Sequence, residues 1–197
     1  MKLKELCNIQ KLYFGYEELA GALGISSASA RVAASRYVRQ GLLIRIKRNL
    51  YVLRETWEKA GSKERFLIAN MGQVPSYISL LTALDYYEIT TQVQRDFVES
   101  IAVTRTKEIR IDQMIFTYTR INEELYFGFD RENGFFIASP EKAVLDAFYL
   151  MSYGRYSLDL SAVNPDRLDP DQIAAMSKRF PSKTRRLLKK HGYPAAA

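Results

Sequence analysis

Sulfur and imidazole are nearly missing from this sequence of 197 residues, which has one cysteine, Cys7, and one histidine, His191. A single cysteine forms no internal disulfide, and one Cys with one His cannot assemble a zinc site within the chain. The same two counts remove most nucleophilic triads, and they leave Cys7–His191 as the only conceivable Cys–His dyad. No apolar run approaches the ~20 residues that cross a bilayer, so no membrane association is expected. The opening MKLKELCNIQ lacks the apolar stretch of a signal peptide, and a cytoplasmic location is the expectation. Nothing in the pattern calls for a cofactor.

Apolar and aromatic material is plentiful. Hydrophobic residues make up 47%, with 13 tyrosines and 10 phenylalanines, enough to build a packed core. The net charge is +7 but unevenly spread. Residues 1–60 carry eleven Lys/Arg against five Asp/Glu, residues 61–155 ten against thirteen, and residues 156–197 eight against four. A basic module at the start of a non-basic body suggests that one part of the chain meets a polyanion.

The first sixty residues read as three helices and a hairpin. A helix is expected over 1–10, with Leu3, Leu6 and Ile9 on one face. A second runs over Tyr16–Leu23 and stops at Gly24, a natural left-handed cap. In SSASARVAASRYVRQG, Ser26 or Ser27 caps the start and Gly41 closes the end. Strands Leu42–Ile46 and Leu50–Leu53 then flank a turn, Lys47-Arg48-Asn49, in which Asn49 tolerates positive φ.

Further on, residues 55–70 read as a connecting helix around Trp57, interrupted weakly at Gly61 and Ser62. SYISLLTALDYY reads as a helix, and DFVESIAVT, MIFTYTRI, LYFGFD and GFFIA as strands of an antiparallel sheet, with a turn at Arg131–Gly134. Ser139-Pro140-Glu141 starts a helix through KAVLDAFYLM, Asp169-Pro170-Asp171 starts another, and Pro181 opens a basic one. The expected fold class is α+β: a winged helix-turn-helix domain over 1–56, then a mixed domain over 57–197 with an antiparallel sheet flanked by helices.

Helix, helix, turn, helix and two-stranded wing is the order in which a later helix enters the major groove of DNA. At about 100° per residue, Ala30, Ala34, Tyr37, Val38 and Gly41 fall on the packed side of the third helix. Ser29, Val32, Ser35, Arg36 and Arg39 fall opposite, with no carboxylate among them. Arg36 suits a guanine edge and Val32 a thymine methyl. Arg31 and Arg39 suit phosphates, as do Arg45, Lys47 and Arg48, with Asn49, at the wing. The alternative for the wing cations is that they blunt an exposed strand edge.

Other features point less clearly. Glu123, Glu124 and Asp130 read as solvated acids about a hairpin rather than a metal site. Glu141 reads as a capping carboxylate, with Lys142 and Asp146 as helix-surface charges. His191 suits a helix C-terminus. The stripe Tyr86, Tyr87, Phe116, Tyr118, Tyr126, Phe127, Phe129 reads mostly as core or sheet face. Lys183, Arg185, Arg186, Lys189 and Lys190 on the last helix form a second basic surface, for DNA, for an acidic partner or simply for solvent. A protein-interaction module neutralising a partner enzyme, and a nuclease, are the competing function classes.

With PSYISLLTALDYYEI, the VT strand, and above all the junction FFIASPEKAVLDAFYL, the chain resembles AbiEi-type antitoxins of type IV abortive-infection toxin–antitoxin pairs. The resemblance runs over about 10–150. That family's wing reads Arg-Gly-x-Tyr, where this chain has Arg48-Asn49-Leu50-Tyr51. The resemblance implies a non-enzymatic repressor of its own operon that binds inverted repeats in promoter double-stranded DNA, as a monomer or weak dimer pairing there. It also implies a nucleotidyltransferase-like toxin as functional partner, counteracted without a stable complex.

Overall fold

The computed structural model describes residues 3–6 and 8–196; Cys7, and so any pairing of it with His191, lies outside them. Two compact units divide the chain, one running to Ile68 and one starting at Ala69. Among the described residues no helix is long and apolar enough to cross a membrane.

In the first unit, α1 (Leu3–Leu6) is the described part of the helix expected over 1–10. α2 (Tyr16–Leu23) ends at Gly24, whose φ of 62° is the left-handed cap conformation. α3 (Ser27–Arg39) starts at Ser26, whose hydroxyl accepts from the Ser29 N–H. The chain leaves α3 through Gly41 at φ 73° and enters β1 (Leu43–Lys47), paired antiparallel with β2 (Leu50–Leu53). Asn49 sits between them at φ 56°, the positive value its side chain tolerates.

Leu19, Leu23, Ala30, Ala33, Ala34, Tyr37, Leu43 and Tyr51 form one core, in which the small alanines let α3 lie close to α2. Val38, expected on the packed side, is half-buried, and Ala33 takes a fuller place there. The stretch expected as one connecting helix is two: α4 (Arg54–Glu58), with Trp57 buried, and α5 (Ser62–Gly72).

The second unit is built on six strands: β3 (Ser76–Ile78), β4 (Phe97–Ala102), β5 (Lys107–Ile111), β6 (Met114–Arg120), β7 (Phe129–Glu132) and β8 (Phe135–Ala138). Their order is β5-β6-β4-β3-β8-β7. The antiparallel pair β3–β4 lies at the centre, and each border is a hairpin, β5–β6 or β7–β8. Both hairpins join the centre through parallel pairs, β4–β6 and β3–β8, so the sheet is mixed and not the antiparallel one expected.

A second correction concerns SYISLLTALDYY, read as one helix. Ser76–Ile78 is β3, and α6 covers only Leu80–Tyr86. Tyr77 and Ile78 are fully buried, and full burial hides the alternation that marks a half-exposed strand. LYFGFD gives only the start of β7, since Glu123–Leu125 is a 3₁₀ turn.

α7 (Pro140–Ser152) begins as read, with Ser139 as N-cap and Pro140 in the first turn. α8 (Pro170–Ser177) and α9 (Ser182–Lys190) follow, and both pack on α7, as does α6. With helices on so many sides, α7 is buried almost all round. Lys142 and Asp146 are therefore not the helix-surface charges expected: both are 0% exposed. Glu141, also buried, accepts from the Asp169 N–H just before α8.

Candidate nucleic-acid interface

The start of α2 ties the first unit together. Residue 14 pairs with β2 as a short third strand: the Phe14 N–H donates to the Tyr51 carbonyl and the Tyr51 N–H to the Phe14 carbonyl, each at 2.9 Å. The Tyr51 hydroxyl donates to that of Tyr16 at 3.1 Å. At the hairpin tip, Asn49 Oδ1 accepts from the Tyr16 N–H at 2.6 Å, closing one of the open donors at the α2 N-terminus. A Cβ on Gly15 would stand 2.9 Å from that same oxygen, so glycine lets the tip come this close. Glu18 accepts from the Gly15 N–H at 2.9 Å and from Lys11 Nζ at 2.9 Å. The Lys11 hydrogen bond, then that from Gly15, holds its carboxyl down at about 2.

These contacts give Asn49 a structural task at the wing. Replacing it by alanine removes the acceptor and puts an ordinary side chain at φ 56°. Urea unfolding of the full chain is expected to register a loss of about 1–2 kcal/mol. Asn49→Gly keeps the left-handed turn and should cost only a few tenths. Equal losses in the two variants would show that the turn geometry contributes nothing.

The residues expected to face DNA are arranged as follows. Ser29, Arg31, Val32, Ser35, Arg36 and Arg39 are all exposed on α3, and Val32 is 70% exposed, unusual for so apolar a side chain. Ser29 shares a hydrogen bond with Ser26 Oγ, and Ser35 Oγ donates to the Arg31 carbonyl. The Arg36 guanidinium lies 5.3 Å from the Tyr37 ring centroid.

On the hairpin, Arg45, Arg48 and Asn49 are exposed, while Lys47 is half-buried and burial lowers its pKa. Helix and hairpin meet electrostatically at Tyr51. Burial and the bond to Tyr16 push its hydroxyl up to about 12, and the charges of Arg45 and Arg31 pull the other way. Arg31 from α3 and Arg45 from β1 thus both act on the Tyr51 hydroxyl.

The second basic surface is less uniform than its sequence. Lys183, Arg186, Lys189 and Lys190 are exposed, with Lys183 Nζ 5.0 Å from the Tyr153 ring centroid. Arg185 is half-buried and donates to the Phe180 carbonyl at 3.0 Å, holding the turn before α9. His191 ends that helix beside Phe148. Among the described residues no group of three or more His, Cys, Asp or Glu is gathered as a metal site.

The fold is shared with a solved structure, the RV2827C protein from Mycobacterium tuberculosis. It superposes with a TM-score of 0.59 over 97% of this chain and 76% of that one, at 9% identity. None of the curated proteins matches by sequence. The two segments that carry the resemblance most specifically, around 76–84 and 135–150, lie outside the family match, which is confined to the first unit. Residues 2–54, from α1 through β2, match the family described as transcriptional regulator, AbiEi antitoxin, the family that the sequence resembles.

Proposed function

We propose that the chain is a sequence-specific DNA-binding repressor and the antitoxin of a type IV toxin–antitoxin operon, with residues 1–56 as a winged helix-turn-helix and 57–197 as the antitoxin-type body. The observation that carries this reading is the α3 face. Six side chains, three of them arginines and none acidic, stand exposed in one helix, beside a hairpin with its own cations.

In this reading α3 enters the major groove, where Arg36 offers two donors to a guanine edge and Val32 meets a thymine methyl. Ser29 and Ser35 are small enough to let the helix approach closely. Arg31, Arg39, Arg45, Lys47 and Arg48 hold phosphates and fix the register. Asn49 stands with Lys47 and Arg48 at the wing tip, which its bond to Tyr16 also braces. The family match to regulators of this type supports the role. Autoregulation through promoter inverted repeats, and a nucleotidyltransferase-like toxin opposed without a stable complex, extend it along the resemblance.

The test is a gel-shift titration of the chain on its own promoter and on a scrambled duplex. Arg36→Ala is expected to cost about 1–3 kcal/mol on the promoter and to narrow the gap between the two duplexes. Arg48→Ala should weaken both alike. Unchanged promoter binding in both variants would remove the assignment and favour a protein-binding role for this unit.

A further inference from the structure

The second unit has a polar cleft of about 620 Å³ that the reading above does not use. Its polar walls are Thr106, Arg120, Asn122, Glu123, Tyr149 and Arg155. Thr106 lies just before β5, Arg120 ends β6, Asn122 and Glu123 come from the turn after it, and Tyr149 and Arg155 come from α7 and the residues just beyond.

The cleft is held in shape by hydrogen bonds to the backbone of residue 120. The Arg120 N–H donates to Thr106 Oγ1 at 3.2 Å, and Arg155 Nη2 donates to the Arg120 carbonyl at 3.0 Å. Asn122 is fixed by accepting from the Glu124 N–H at 3.3 Å. Clamped on both sides of its Cα, Arg120 carries a guanidinium that no described residue engages.

The wall leads outward along an alternation of rings and cations. Arg155 bears electrostatically on the Tyr149 hydroxyl, which burial raises. The Tyr149 and Tyr153 rings lie 5.2 Å apart, and Lys183 Nζ stands 5.0 Å from Tyr153. Tyr153 is an exposed aromatic.

From this arrangement we infer that the cleft binds a nucleotide, its phosphate between Arg120 and Arg155 and its base against Tyr149. Two guanidiniums converging on one cleft suit a phosphate, whose oxygens accept from their planar forks. A tyrosine ring offers a face or edge to a base of any sequence. Glu123, the one acid of the lining, argues against a bare polyphosphate and suits the hydroxyl or amino donors that a nucleoside carries. The volume falls within the range of about 300–1,000 Å³ usual for small-ligand sites. The unit has two sources, a free mononucleotide or one residue of a single strand, and Tyr153 with Lys183 extends the site in the way a strand would need. The inference is independent of α3 and does not rest on duplex binding.

The experiment is calorimetric titration of the full chain with adenosine and uridine 5′-monophosphates, the matching nucleosides, inorganic phosphate, and a hexauridylate. Saturable binding of the monophosphates, at least ten-fold tighter than nucleoside or phosphate alone, is expected. Arg120→Ala should lower it ten-fold or more with an unchanged melting temperature, because that side chain anchors nothing in the fold. A hexamer that binds more tightly than the monophosphate, and that loses affinity in Lys183→Ala, assigns the site to a strand. Equal affinities assign it to free nucleotide. No saturable binding of any nucleotide, phosphate binding as tightly as a nucleotide, or an Arg120→Ala protein that binds unchanged would overturn the inference. Promoter binding through α3 is read separately by gel shift, so either reading can fail alone.

Discussion

Lys142→Met is expected to destabilise the protein by about 3–5 kcal/mol in urea unfolding, the usual consequence of removing one partner from a buried ion pair. Lys142 lies one helical turn before Asp146 on α7 and donates to it directly. The Tyr77 hydroxyl donates to Asp146 Oδ2 at 2.9 Å and the Ser79 hydroxyl at 2.8 Å. Lys142 Nζ also donates to the Tyr77 oxygen at 2.8 Å. The rings of Tyr77, Phe127 and Phe180 surround the ammonium, each centroid within 5.3 Å.

Burial drives both groups towards neutrality, pulling the lysine pKa down and the aspartate pKa up, and each opposes the shift in the other. Taking the lysine away leaves a carboxylate with two hydroxyl donors and no counter-charge. The double variant Lys142→Met/Asp146→Leu removes that burden, so it is expected to be more stable than Lys142→Met alone despite the loss of a second polar group. A single variant that loses less than about 1 kcal/mol, or a double variant no better than the single, would show that the pair is not held as an ion pair.

Raising salt from 50 to 200 mM is expected to weaken promoter binding about 250-fold per bound copy, a log–log slope of about −4. The figure follows from the cations that the proposed reading sets against phosphates: Arg31, Arg39, Arg45 and Arg48 are exposed, and each phosphate neutralised releases its condensed counterions. Lys47 is half-buried and contributes less than a whole contact. Arg48→Ala should reduce the slope by about 1, on promoter and random duplex alike. Arg36→Ala should leave the slope on random duplex nearly unchanged, because a base contact displaces no counterion. A flat salt dependence would mean that the basic face does not meet a polyanion.

What could be read from the sequence follows the range over which each signal acts. Gly24, Ser26, Gly41 and Asn49 all settle the backbone within a few residues of themselves, and so α2, α3 and the β1–β2 hairpin lie close to where the pattern puts them. Asn49 was legible as a turn residue, but its bond to Tyr16, 33 positions away, was not. The third strand at Phe14 escaped for the same reason.

In the second unit the errors have one cause. Lys142 and Asp146 at i and i+4 are the ordinary pattern of a solvated helix face. Only Tyr77 and Ser79, 65 to 69 residues upstream, reveal that they are interior. The parallel pairs β3–β8 and β4–β6 likewise join segments that carry no mutual signal. Arg120 and Arg155 stand 35 positions apart, and neither belongs to a charged run that would single it out.

The borders of the six-stranded sheet set a limit on self-association. The outer strand β5 exposes Glu108 and Arg110, and the opposite one, β7, exposes Asp130 and Arg131. Another chain adding to either rim would have to dehydrate charges of both signs, which disfavours runaway stacking of copies and sheet-to-sheet dimers alike. If two molecules meet side by side, they do so through other surfaces, with the rims of this sheet kept out of the union.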